Sequence, residues 1–155
     1  MGTKHRLAGI ILPALIAAAS LFLYYMENGK VDSVAGIELG ETWVFYHNGI
    51  ENRRLQDAVN QTLNTNPEGL KALPATRCDT AGCYDLGAVI TQIIYRMGED
   101  KFAAMLPVLD KAETNWLADM ITVGLEYGGN VNPRQGGARQ METEFPKLHR
   151  ALSSS

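Results

Sequence analysis

The chain has 155 residues, of which 46% are hydrophobic and 20% charged, with a net charge of −3 and a mean hydropathy of −0.11. These values exclude a polytopic membrane protein and a disordered polar tract. Two cysteines exclude a disulfide-dense scaffold, and a pI near 5.6 argues against nucleic-acid binding.

The averages conceal an uneven start. Lys4 and Arg6 precede a charge-free run, LAGIILPALIAAASLFLYY, over residues 7–25. As a helix, 19 residues would span about 28 Å, close to the roughly 30 Å hydrocarbon thickness of a bilayer. Membrane helices tolerate an internal proline such as Pro13, and Tyr24 and Tyr25 suit the lipid–water interface. The run is expected to be an uncleaved signal-anchor that contacts the lipid bilayer. Cleavage after Ala19 is the alternative, because Ala17-Ala18-Ala19 supplies the small residues a signal peptidase requires. A buried soluble helix is the third reading. A myristoylation signal beginning at Gly2 fails, because Arg6 stands where Ser or Thr is needed.

The basic flank places the N-terminus in the cytoplasm, with the protein single-pass in the inner membrane and residues 27–155 periplasmic or extracellular. That exported part holds 12 basic and 17 acidic residues, a net −5. Such a domain avoids anionic lipid and nucleic acid.

Residues 27–36 are small and polar and read as a tether. Glu41 to His47 is rich in β-branched and aromatic residues and predicts a short extended segment. Helical signals follow. Asn48 and Glu51 make a capping box, with Leu55, Ala58, Val59 and Thr62 at helical spacing behind it. Asn66-Pro67-Glu68 starts a second helix, which Pro74 must stop. Asp85 is positioned to cap a third, in which Leu86, Val89, Ile90, Ile93, Ile94 and Met97 form one apolar stripe ending at Gly98. Phe102, Met105, Leu106 and Leu109 form another, interrupted by Pro107. Asp110 and Glu113 make a second capping box, ahead of Trp116, Leu117, Met120 and Ile121. GGNVNPRQGG, residues 128–137, is a turn-rich connector, and a last helix over 138–152 is broken at Pro146.

The expected fold is therefore all-α. A signal-anchor transmembrane helix (1–26) and a tether (27–36) precede an exported domain (37–152). That domain is a small antiparallel bundle of five to six short helices, with one short extended segment near 41–47 and a frayed tail at 153–155.

Residues able to carry chemistry are few. Cys78 and Cys83 would close a small disulfide loop if exported, a stabilisation of roughly 2 kcal/mol. Their C-x4-C spacing is not the redox C-x2-C motif, and two thiols are too few for a metal. No nearby histidine supports a nucleophilic role for Cys83, and no nucleophile-elbow motif supports a triad on His47. Glu38 and Glu41 are the best carboxylate pair for a cell-envelope hydrolase, with Glu142 and Glu144 further candidates. Solvated acidic pairs are much the commoner arrangement. The glycine-rich connector lacks the Gly-Lys-Ser/Thr ending of a phosphate loop. Trp43, Phe45 and Tyr46 are candidates for partner binding, against core packing as the plainer role.

No cofactor and no metal are implied. The expected function is a membrane-anchored, non-catalytic binding or assembly protein that holds or neutralises an envelope protein partner. A small tethered hydrolase and a cleaved secreted helical protein are the alternatives. A membrane-embedded subunit whose helix is the working part is a further one.

Overall fold

In the computed structural model of the chain, the structure describes residues 15–21, 30–76, 78, 80–128 and 140–154. Among these the fold is all-α, apart from one tight hairpin. Most of the 7–25 run lies outside the described residues. Residues 15–21 are helical, and Leu15, Ile16 and Leu21 are exposed. Among the described residues no helix is long and apolar enough to cross a membrane.

The hairpin pairs β1 (Ser33–Val34) with β2 (Ile37–Glu38) in antiparallel register. Ala35 and Gly36 both take positive φ, the signature of the tight turn whose twist suits a hairpin. Residues 30–36, expected within the tether, are thus seated on the domain. The Val31 N–H donates to Asn52 Oδ1 (3.0 Å), and Asn52 Nδ2 donates back to the Val31 carbonyl (3.3 Å). Ile37 and Leu39 are buried in the core.

The next segment corrects the expected extended stretch near 41–47: Glu41–Tyr46 is a helix, α1. Its N-cap, Gly40, has no side chain to offer and sits at φ 85°. The missing cap comes from elsewhere in the chain, since the Trp43 N–H donates to Asp85 Oδ2 at 2.6 Å. A carboxylate on the third N–H of a helix satisfies an otherwise orphaned donor and opposes the helix dipole. Tertiary contact thus overrides the β propensity of Thr42, Val44 and the aromatics.

Then come α2 (Gly49–Leu63), α3 (Pro67–Ala72), α4 (Thr80–Met97) and α5 (Glu99–Ala103). After a 3-10 turn at Leu106–Val108 follow α6 (Lys111–Tyr127), α7 (Met141–Glu144) and α8 (Pro146–Ser153). Both capping boxes form as their sequences dictate, at Asn48 with Glu51 and at Asp110 with Glu113. Asn66 caps α3 with Pro67 at its first position. Pro107 breaks the expected helical stripe of Phe102 to Leu109 into α5 and the 3-10 turn, and Pro146 starts α8 instead of kinking a longer helix.

Helices α4 and α6 make the largest helix–helix contact. They run antiparallel, as two pairings show: Tyr84 meets Tyr127 edge-on, and Gly87 meets Gly124. A Cβ at Gly124 would collide with the Gly87 carbonyl group, so the backbones touch where both side chains are absent. The α4 stripe Leu86, Val89, Ile90, Ile93 and Ile94 is wholly buried. It packs in one cluster with Leu55 and Val59 of α2, Leu117 and Ile121 of α6, and Phe145 and Leu148 at the C-terminus.

Candidate functional site

Helix α2 presents two faces. Leu55, Ala58, Val59 and Thr62 pack inward, as their spacing predicts. Glu51, Arg54, Asp57 and Gln61 lie along the other side at helical intervals and form one wall of a cleft of about 470 Å³. Ala72, Ala75 and Thr76, at and beyond the end of α3, form the facing wall, with Trp43 and Ala58 also in the lining. Small side chains on that wall leave the room that the charged side chains of α2 border. The volume lies within the range of natural ligand pockets.

Trp43 is fully buried, and His47 stacks on it with ring centroids 3.6 Å apart and planes within 10°. Among the described residues, Trp43 Nε1 is the buried side-chain nitrogen left without a hydrogen-bond partner. A buried donor left unpaired costs about 1–3 kcal/mol.

The Cys78–Cys83 disulfide is formed, with Cα atoms 5.0 Å apart. Cys83 is the fourth residue of α4, so the bridge ties the chain two residues past Thr76 to that helix. It therefore anchors the cleft's small-residue wall. The helix itself begins at Thr80, five residues before the expected start at Asp85. Asp85 lies inside it and caps α1 instead of its own helix.

The three aromatics of 43–46 part company. Trp43 goes to the core, whereas Phe45 is 75% exposed and Tyr46 69%. Their rings meet edge-on at 5.0 Å. Phe45 lines a second, shallower depression with Lys30, Asp32, Glu41 and Val44.

The carboxylate candidates separate likewise. Glu38 lies in β2, where its backbone is held at both ends by Gln92: the N–H donates to Oε1 (3.0 Å), and Nε2 donates to the carbonyl (2.9 Å). Glu41 opens α1 beyond the positive-φ Gly40. Both side chains are exposed, so neither has the desolvated pocket that a general acid needs. Glu144 accepts a hydrogen bond from the Tyr95 hydroxyl (2.6 Å), and Glu142 lies 3.8 Å from His149 Nε2. His47 is buried, with Nδ1 3.1 Å from the Trp43 carbonyl oxygen, and so is placed structurally. Among the described residues no group of three or more His, Cys, Asp or Glu side chains is arranged to hold a metal ion. Most of the glycine-rich connector, from residue 129 on, lies outside the described residues.

Nothing local in the sequence shows that Ala72, Ala75 and Thr76 stand opposite Glu51, Arg54, Asp57 and Gln61, because the two walls come from different elements. Compared with family models, with curated proteins and with solved structures, the chain matches none.

Proposed function

We propose that this chain is a membrane-tethered, non-catalytic binding protein whose cleft between α2 and residues 72–76 receives a side chain or short loop of an envelope protein partner. Residues 7–25 serve as the single signal-anchor span. The N-terminus is cytoplasmic, and residues 27–155 lie on the periplasmic or outer side. A disulfide suits that oxidising side.

The observation that carries the reading is the cleft. One guanidinium, two carboxylates and an amide border a pocket backed by small apolar side chains. Such a mixture gives a protein partner charge complementarity and gives specificity more than raw affinity. The cleft's hydroxyl, Thr76, donates to the Ala72 carbonyl, its Glu51 accepts from the Asn48 N–H, and no group of three metal ligands lies among the described residues. The fold already supplies the floor and the disulfide staple, so the site needs little ordering before it binds.

The test is affinity purification of the full chain from membranes, comparing four forms. Wild type and Glu38→Gln/Glu41→Gln should retain the same partner. Arg54→Glu and Gln61→Trp, both at exposed positions of α2, should lose it while keeping the wild-type circular dichroism. Partner retention by both cleft variants would sink the cleft assignment. An envelope-hydrolysing activity abolished by the double glutamine variant would replace this reading with the hydrolase.

A further inference from the structure

We propose that Phe45 and Tyr46, with Val31 beside the point where the chain joins the domain, form the face on which the domain rests against the lipid–water interface. This rests on residues 7–25 being the membrane span. Six residue steps separate Tyr25 from Val31, a reach of at most about 21 Å. A domain of this size measures about 35 Å across. The clamp between Val31 and Asn52 therefore holds one particular side of the domain close to the bilayer. Phe45 lies on that side, because it shares a depression with Lys30 and Asp32, the residues flanking Val31.

Tyr46, a ring with a polar tip, suits the headgroup level, and Phe45 adds apolar surface beside it. Phe45 and Tyr46 are also a larger apolar surface than an isolated exposed residue: two rings in contact, 75% and 69% exposed, with Val31 39% exposed. Lys30 and the acids Asp32 and Glu41 border the same depression. The acids and the net −5 of the domain disfavour an anionic surface. The occupant is therefore a zwitterionic headgroup layer, and the contact fixes which way the cleft faces.

The experiment places a spin label singly at Ile16→Cys, Phe45→Cys, Tyr46→Cys and Lys111→Cys in the full chain. The variants are reconstituted into phosphatidylcholine nanodiscs without reductant, so that the native disulfide is kept. Collision rates with oxygen, which concentrates in lipid, and with a water-soluble nickel complex are compared. Lys111 opens α6, whereas α1 is pinned to Asp85, near the α4 end that meets the far end of α6, so Lys111 is the aqueous control. The expected result is an oxygen-to-nickel ratio several-fold higher at 45 and 46 than at 111, with the highest ratio at 16. A ratio at 45 and 46 equal to that at 111, with residue 16 in lipid, overturns the docking face and leaves the anchor standing. Labels at 45 and 46 shielded from both reagents mean that a protein, or a second copy, covers the face, and the proposal fails. An aqueous residue 16 removes the anchor and the proposal together.

Discussion

Two regions of this domain are held together in opposite ways. Where α4 crosses α6, the backbones touch at Gly87 and Gly124, and apolar side chains pack on either side of that point. At the corner where the hairpin and α1 meet α4 and α2, the buried side chains Ile37, Leu39 and Trp43 are joined by single polar side chains that pin the backbone. From α4, Asp85 holds the Trp43 N–H and Gln92 holds both backbone groups of Glu38; from α2, Asn52 holds both of Val31, just before the hairpin. The first arrangement loses much from one added methyl group. The second loses one strand of attachment at a time. Each polar tie can be lost singly, so such a surface can loosen at its backbone while Ile37, Leu39 and Trp43 stay buried.

The comparison breaks most severely at the crossing. Gly124→Ala puts a methyl into the Gly87 carbonyl group, which is backbone and cannot rotate aside. The expected loss is about 3 kcal/mol, read as a lower urea midpoint with an unchanged slope. A variant as stable as wild type would mean that the helices do not cross at these glycines. The disulfide comes next. Cys78→Ser/Cys83→Ser should cost about 2 kcal/mol and, by loosening residues 72–76, weaken partner capture by more than that stability loss accounts for.

Gln92→Ala sharpens the contrast instead of breaking it. Its two hydrogen bonds to Glu38 are partly replaced by water, because Glu38 is exposed. The expected global loss is therefore about 1 kcal/mol. Amide exchange should rise at Ile37 to Leu39 while the amides of α6 keep their protection. Equal acceleration in both places would show that the corner and the crossing unfold as one unit.

The same contrast explains what could be read from sequence. Asn48 with Glu51, Asp110 with Glu113, and Asn66-Pro67 are signals whose partners lie within three residues, and each formed as written. The stripe from Leu86 to Ile94 was legible because periodicity alone says which face is buried. The corner was not legible. Asp85 reads locally as the cap of its own helix, because nothing near it in sequence says that it reaches 42 residues back to Trp43. Without that contact, Glu41 to Tyr46 reads as extended. Glu38 and Glu41 looked paired because they are three residues apart, yet the positive-φ turn at Gly40 puts them on different elements. The cleft is not legible for the same reason: Ala72, Ala75 and Thr76, which face α2 across it, come from another part of the chain.

The smallest effect tests the corner's mechanism at its exposed limit. Lys147 ties α8 to α5 as the polar side chains tie α1 to α4. Its Nζ donates to both Asp100 carboxylate oxygens at 2.7 Å, and its backbone N–H donates to Glu99 at 2.9 Å. The hydrogen bond and charge of Asp100 raise the Lys147 pKa above the ordinary lysine value. A lysine whose folded pKa is raised contributes its stability in full below the unfolded pKa and loses it as the pH rises through the folded one. Both partners are in water, so salt screens the pair and the contribution is slight. Lys147→Met should therefore lower the urea midpoint measurably at pH 7 in low salt. The difference from wild type should shrink in high salt and close at a pH above the lysine range. A difference that persists unchanged at high pH would assign the effect to the stem packing of Lys147 instead of its charge. In that case the latch between α5 and α8 would resemble the packed crossing more than the polar corner.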